Sequence, residues 1–402
     1  MMSEKLYYNS YLFKDILGHD RRQKKMAVEF NDHDMLSTLI KHHRSLHKIP
    51  EIGDQLFETR DYIMDVIGDM DCEFTTVVNT GICAFFNKGK EFTVAYRSDM
   101  DGLTIPETNT HRFVSKHPGK MHGCGHDGHM SMLLGFAEYV NHTANLPYNI
   151  LLIFQPAEET TGGARPIAES GIFEKYKVIR TFGLHLWPNI PKGQLSTKGG
   201  PLMPKSSEVS IEIKGKSTHA ATAHKGIDAL YIASQYILDI YKMQENESPA
   251  DERTLLKICK INSGTARNVI AGKAALLGTM RAFSLETFDF MESRLNEIAK
   301  EYENKYGCQI RVHCSEGYLP VINDVELYQT IKPYLQKLSY YEELPEAVMI
   351  SEDFSYYGTK APAVFTLLGT GAKVPLHSNN FNFDEDILLA GYEYYKLLAH
   401  IN

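Results

Sequence analysis

Two rhythms of apolar residues run along this chain. In "DMLSTLIKHHRSLH" (34–47) and "FETRDYIMDVIGDM" (57–70) apolar residues recur every three to four positions, the period of an amphipathic helix. "GICAFFN" and "FTVAYRSDMDGL" are short apolar runs and read as strands. "MSMLLGFAEYVNHT" (130–143) returns to the helical period. "YNILLIFQPAEE" (148–159) and "VIRTFGLHLW" (178–187) are continuous apolar runs, as in strands buried on both faces. Strands alternating with helices predict a mostly parallel α/β sheet.

The pattern changes after the glycine- and proline-rich "KGGPLMPK" (198–205). "SEVSIEIKGK" alternates as a half-exposed strand, "IDALYIASQYILDIYKMQ" (227–244) is an amphipathic helix, and "RTLLKICKINSG" and "KAALLGTMRAF" are strands. The long helix "LETFDFMESRLNEIAKEYENKYG" and the strand "CQIRVHCSEG" complete a β-α-β-β-α-β order, the ferredoxin-like split motif. After "LPVIND" come a helix, the strand "APAVFTLLGT" and a closing helix, "DEDILLAGYEYYKLLAHI". The expected architecture is an α/β domain in two parts, 1–204 and 317–402, interrupted by an inserted α+β domain at 205–316.

Composition narrows this further. A chain of 402 residues exceeds one comfortable core, which agrees with two domains. Its net charge of -8 argues against nucleic acid or an anionic membrane as the main partner. The one basic cluster, "RRQKK" (21–25), reads as a solvated helix face. The six cysteines are irregularly spaced with no CxxC pair, which points to a reducing compartment and not a disulfide scaffold. No basic start followed by an apolar run marks a signal peptide, and no apolar stretch reaches the ~18 residues of a membrane span. A cytoplasmic protein is the expectation.

The candidate chemistry centres on "MHGCGHDGHM" (121–130). Thiolate and imidazole are ligands that suit zinc, manganese, cobalt or nickel. Cys124 and His126 are two residues apart; in an extended loop both side chains would face one site. His122 and His129 read as structural or supporting imidazoles. In "FQPAEETTGG", Glu158 and Glu159 stand at the end of a buried strand, where two carboxylates need a positive partner. Adjacent residues project differently, so one can bind metal while the other faces the bound water. His185 in "GLHLWP", His377 in "VPLHSNNF", and Asp99 and Asp101 in "RSDMDGL" also fall at predicted strand ends. Such carboxylates commonly orient metal-bound imidazoles. Each piece alone is ordinary; together they place Cys, His, Glu, His and His at the strand edge where open α/β sheets carry their sites.

These residues carry a family resemblance. "RSLHKIPEIG", "RSDMDGL", "MHGCGHDGHM", "QPAEETTGGA", "GLHLWP", "STHAATAH", "NVIAG", "GTMRAF", "SEDFSYY" and "PLHSNNF" occur in one order over residues 40–400. That order resembles the metal-dependent N-acyl-amino-acid amidohydrolases, a branch of the aminoacylase and carboxypeptidase metallopeptidases. The branch includes hippurate hydrolases, acetyldiaminopimelate deacetylases and auxin-conjugate hydrolases. The resemblance implies two divalent ions per subunit, Mn²⁺ or Zn²⁺ with Co²⁺ or Ni²⁺ as alternatives, held by Cys124, His126, Glu159, His185 and His377. It implies Glu158 as general base, His219 of the inserted domain as oxyanion donor, reaching the partner subunit's site, and Asn268 and Arg281 as substrate-binding residues. Asp101 is counted with the catalytic residues. The insert resembles the family's lid and dimerisation domain, so a homodimer or tetramer and hinges near 200–205 and 316–320 are expected. Thr104, Ser217-Thr218 and Ala223 depart from the usual motifs and bear on substrate preference. The expected reaction is hydrolysis of an N-acyl amino acid to a carboxylic acid and a free amino acid. A dipeptidase or carboxypeptidase with the same centre, or a non-catalytic binder of metal or metabolite, are the alternatives.

Overall fold

A computed structural model of the protein describes residues 32–402; the "RRQKK" cluster and the tyrosine-rich start lie outside the described residues. The chain opens with helices α1 (Asp32–Leu46) and α2 (Phe57–Ile67), then strands β1 (Glu73–Val77), β2 (Gly81–Phe86) and β3 (Thr93–Asp99). Helix α3 (His126–His142), strand β4 (Asn149–Gln155), helices α4 (Ala164–Glu169) and α5 (Ile172–Lys175) and strand β5 (Val178–Trp187) follow. After β6 (Leu195–Thr197), β7 (Gly200–Met203) and β8 (Lys205–Lys214) come α6 (Ala229–Glu247), β9 (Leu255–Ser263), β10 (Lys273–Ala282), α7 (Leu285–Tyr306) and β11 (Gln309–Cys314). The chain closes with β12 (Val321–Asn323), α8 (Val325–Leu335), β13 (Tyr341–Glu343), β14 (Ala363–Gly369) and α9 (Leu388–Ala399).

The larger sheet has the order β1-β2-β4-β3-β5-β14-β6-β13. Its centre, β4-β3-β5-β14, is parallel, while β1, β2 and β6 join antiparallel. Every residue of β3, β4 and β14 is buried, which is why β4 and β14 read as continuous apolar runs rather than alternating ones. Helices α1, α3 and α9 pack together over one face around Leu39, Leu133, Phe136 and Tyr395.

The second sheet is antiparallel with the order β11-β8-β10-β9. Numbered from its own first strand this is 4-1-3-2, the ferredoxin-like arrangement that the β-α-β-β-α-β order predicts. Its core has its own set of side chains, among them Ile211, Tyr236, Leu276 and Leu295. The two connectors run side by side: β7 pairs antiparallel with β12, and Ser206 bridges Tyr318.

The structure corrects one expectation. Helix α3 does not begin after the "MHGCGHDGHM" motif but inside it, at His126. Cys124 and His126 therefore do not alternate along an extended loop; Gly125 between them sits at φ +86 as the helix N-cap. A Cβ there would come within 2.9 Å of Leu186 Cδ1, so both the backbone angle and the packing require glycine.

Candidate metal centre

The parallel pairing of β3, β4 and β5 brings their C-terminal ends to one edge. Asp99 ends β3, Glu158 and Glu159 follow β4 in a turn, and His185 lies near the end of β5. Cys124 arrives at the same edge just before the N-cap of α3, and His126 as the first residue of that helix. His377 arrives on a late loop, its backbone N–H bonded to Gly123 O at 2.8 Å. Ala157, just before the glutamate pair, and His377 both sit at positive φ, +62 and +64. Non-glycine residues hold that conformation only where the surroundings impose it, and such positions cluster at functional sites.

The side chains converge. Cys124 Sγ lies 3.5 Å from His185 Nε2. Glu159 Oε1 lies 3.0 Å from His377 Nε2 and 3.9 Å from His126 Nε2. Cys124, Glu159 and His377 form one set of atoms close enough to hold an ion, and His126, Glu158 and Glu159 form another. The far ring nitrogens are fixed. His126 donates its Nδ1–H to Asp101 O at 2.8 Å, and His185 donates its Nδ1–H to Leu186 O at 2.6 Å. Both rings thus present Nε2 to the cluster.

Two buried atoms here make no aligned hydrogen bond, His126 Nε2 and Glu159 Oε1. Leaving such atoms bare costs free energy, and a cation between them would satisfy both. The electrostatics agree. Burial and the Glu159 and Glu158 carboxylates push the Cys124 thiol well up, so a thiolate there needs a cation. Against the lowering effect of burial, Asp99, Asp101 and Glu159 hold His126 up to about 10, the mark of a cluster with surplus negative charge. Glu158 is pushed well above the usual carboxylate range, by burial first and then by Glu352, Glu159, Asp353 and Asp101. The donor set fits a divalent metal centre.

The supporting residues are equally specific. Asp101 accepts the backbone N–H groups of Glu158 and Glu159 at 3.1 Å each, so it fixes the turn that carries both. His129 donates to Asp99 at 2.6 Å and accepts the Leu186 N–H at 2.8 Å; with both nitrogens spent it supports the site and has no lone pair to offer a metal. His122 is buried with neither ring nitrogen hydrogen-bonded. Sequence reasoning missed Arg97, fully buried mid-strand. Its guanidinium reaches Gln155 Oε1 at 2.8 Å, Asp99 Oδ2 at 2.8 Å, and Glu352 and Asp353 at 2.9 Å each. Glu352 is pushed up to about 8 by burial, with Arg97 opposing. An arginine directly after the apolar "VAY" of a predicted strand was the available signal, because a charge buried there needs carboxylate partners.

A cavity of about 200 Å³ opens on the cluster, lined by Cys124, Glu158, Glu159, His185, Glu352 and His377 with apolar walls from Trp187, Met203, Ile350 and Leu376. His219, Asn268 and Arg281 are not among its lining residues. His219 and Asn268 are exposed neighbours on the insert, joined by the Ala220 N–H to Asn268 O bond of 2.9 Å. The Ala221 N–H donates to His219 Nδ1 at 3.1 Å, so the ring's available donor is its Nε2–H. Arg281, on β10, donates to Met349 O beside the cavity wall and keeps a buried Nε without a partner.

Fold and donor set together define a candidate divalent-metal centre at the strand edge of an α/β domain. Residues 95–400 match the peptidase family M20/M25/M40, and the chain belongs to that family. An N-acetyldiaminopimelate deacetylase from Shouchella clausii is 34% identical over 360 residues, covering 88% of this chain and 95% of its own length. One from Listeria monocytogenes is 35% identical over 366 residues, covering 88% and 96%. The crystal structure of a dinuclear metal-binding peptidase of the M20 family from Bacillus subtilis superposes with a TM-score of 0.80 at 29% identity, covering 92% of this chain and 98% of that one.

Proposed function

We propose that this chain is a two-metal amidohydrolase that releases a short carboxylic acid and a free amino acid from an N-acyl amino acid, with an N-acetylated diamino acid as the preferred class. The observation that carries the reading is Glu158: a buried carboxyl that lines the same cavity as Cys124, Glu159, His185 and His377. Cys124, His126, Glu159, His185 and His377 hold the ions, Mn²⁺ or Zn²⁺. When bound, such a pair polarises the scissile carbonyl and lowers the pKa of the attacking water. Glu158 takes the proton from that water at its carboxylate and delivers it to the leaving amine nitrogen. Asp101 keeps Glu158 and Glu159 in register while this happens.

The Nε2–H of His219 suits the developing oxyanion. It is supplied by the inserted unit, taken as 205–316, of a partner subunit in a cytoplasmic homodimer. Arg281 pairs its free Nε with the substrate carboxylate, and Asn268 contacts the substrate beside His219. The small apolar-walled cavity favours acetyl over benzoyl or indole-type acyl groups, and the names of the curated relatives support that preference.

The test is release of amine from a panel of N-acyl amino acids by metal-stripped protein, with and without added Mn²⁺, Zn²⁺ or Co²⁺. Turnover should return with metal and be fastest on N-acetyl substrates. Glu158→Gln should bind metal yet lose about 10²- to 10⁴-fold in rate. Turnover that survives chelation, or a Glu158→Gln variant at full rate, would overturn the reading. Turnover confined to dipeptides would shift it to a peptidase with the same centre.

A further inference from the structure

The glutamate turn is held at several points. The Ala157 N–H donates to Gly53 O, and Ala157 O accepts the Gly162 N–H, both at 2.9 Å. Asp101 takes the N–H groups of Glu158 and Glu159. The remaining backbone group of Glu158 is its carbonyl, and this is met from outside the turn: the Tyr318 hydroxyl donates to Glu158 O at 2.7 Å. The ring lies against the same turn. A Cβ on Gly162 would come within 2.7 Å of Tyr318 Cε1.

Tyr318 belongs to the return connector of the insert. Ser206, on the outgoing strand β8, bridges it directly. Gly317, at φ +59, approaches so closely that a Cβ would meet Ser206 O at 1.8 Å. The two connectors are therefore tied to each other, and the phenol on the return connector holds the peptide of Glu158. A groove of about 700 Å³ lies beside this contact, lined by Ser206, Glu316, Gly317 and Tyr318 from the connectors and by Thr160 and Arg165 from the glutamate-turn side.

We propose that Tyr318 is a positioning residue that couples the insert's hinge to Glu158, so that insert orientation sets the placement of the base. This rests on the reading of Glu158 as the base. The geometry gives the reason: an error of ~1 Å in a proton-accepting group can cost up to about a hundredfold in rate without altering substrate affinity.

The experiment is steady-state kinetics of metal-loaded Tyr318→Phe on the best N-acyl substrate, beside Glu158→Gln, with bound metal and thermal midpoint measured for each. Tyr318→Phe keeps the ring that packs on Gly162 and removes only the hydroxyl. The expected result is a fall in kcat of about ten- to a hundredfold with KM within about twofold, full metal content and an unchanged midpoint. A wild-type kcat overturns the proposal, and so does a loss that comes with lost metal or a lowered midpoint, which would make the hydroxyl merely structural. An inactive Glu158→Gln beside a fully active Tyr318→Phe would leave the base assignment standing and remove the coupling. An active Glu158→Gln would remove both.

Discussion

Arg97 is a full charge on a strand with no residue exposed, and its surroundings explain how it survives there. Asp99, Glu352 and Asp353 each accept from it, and Asp353 is further held by Gln155 and the Ala164 N–H. One guanidinium therefore fixes three carboxylates beside the centre, and through Asp99 it fixes His129 as well. Arginine's planar fork can serve several partners at once, which a lysine ammonium cannot do in this geometry. Replacing Arg97 by methionine should cost about 3–5 kcal/mol of stability, because three carboxylates would be left buried without their counter-charge. Arg97→Lys should fall between methionine and wild type. Denaturant titration of metal-loaded protein checks the order. At this scale the sequence was legible where chemistry-bearing residues crowd together, as in "MHGCGHDGHM", and silent where one residue's meaning depends on distant partners. Glu352 lies 255 positions from Arg97, and no local pattern links them.

Among the elements, α3 was legible as a helix but not in its first turn. Local rules fail there because glycine, histidine and aspartate are weak helix formers. The turn is secured from outside by the end of α1 and the residue that follows it. His47 Nδ1 meets Asp127 at 2.6 Å and His43 Nε2 meets it at 3.2 Å, while His47 Nε2 meets Glu107 at 3.0 Å. Asp127 also receives the Gly128 N–H at the start of the helix. Through His47 the "RSLHKIPEIG" motif thus clamps the start of the helix that carries His126. The clamp is pH-sensitive. Against the lowering effect of burial, Asp127 and Glu107 raise His47 from 6.5 to about 9. A proton held more tightly in the folded state stabilises fully below pH 6.5, and that contribution is lost as pH rises through about 9. Glu107, held down to about 2 by His47 and its other hydrogen bonds against burial, contributes above pH 4.5 and loses its contribution as pH falls towards 2. The stability gap between wild type and His47→Gln should therefore be widest near pH 5–6, on the order of 1–3 kcal/mol, and narrow towards pH 9. A gap that stays constant or widens from pH 6 to 9 would show that His47 is not the charged partner in this clamp.

For the whole molecule, the order of elements was legible because both sheets follow rules that act along the chain: alternating strands and helices for the parallel centre, and a split β-α-β-β-α-β order for the insert. The short strands β1, β6, β7, β12 and β13 and the short helices α4 and α5 were not legible, since three to six residues carry no clear period; they are defined by their partners across the fold. The same limit applies to function. Cys124, Glu158, Glu159, His185 and His377 meet around one cavity, whereas His219 stands exposed on the insert and does not line it. Leu230, Tyr231 and Leu238 on α6 are exposed too, an apolar face suited to a second copy of the chain. If His219 serves the partner subunit's centre, two dead variants must repair each other. Glu158→Gln chains retain His219, and His219→Ala chains retain Glu158. In a mixed dimer the Glu158-bearing centre receives the intact histidine, so one centre of two becomes active. Equal mixing through reversible dissociation yields mixed dimers in half of the population, and activity should recover to about a quarter of wild type. Activity that stays at the level of the separate variants, with mixed dimers demonstrated by mass spectrometry, would place His219 in its own subunit's site or outside the reaction altogether.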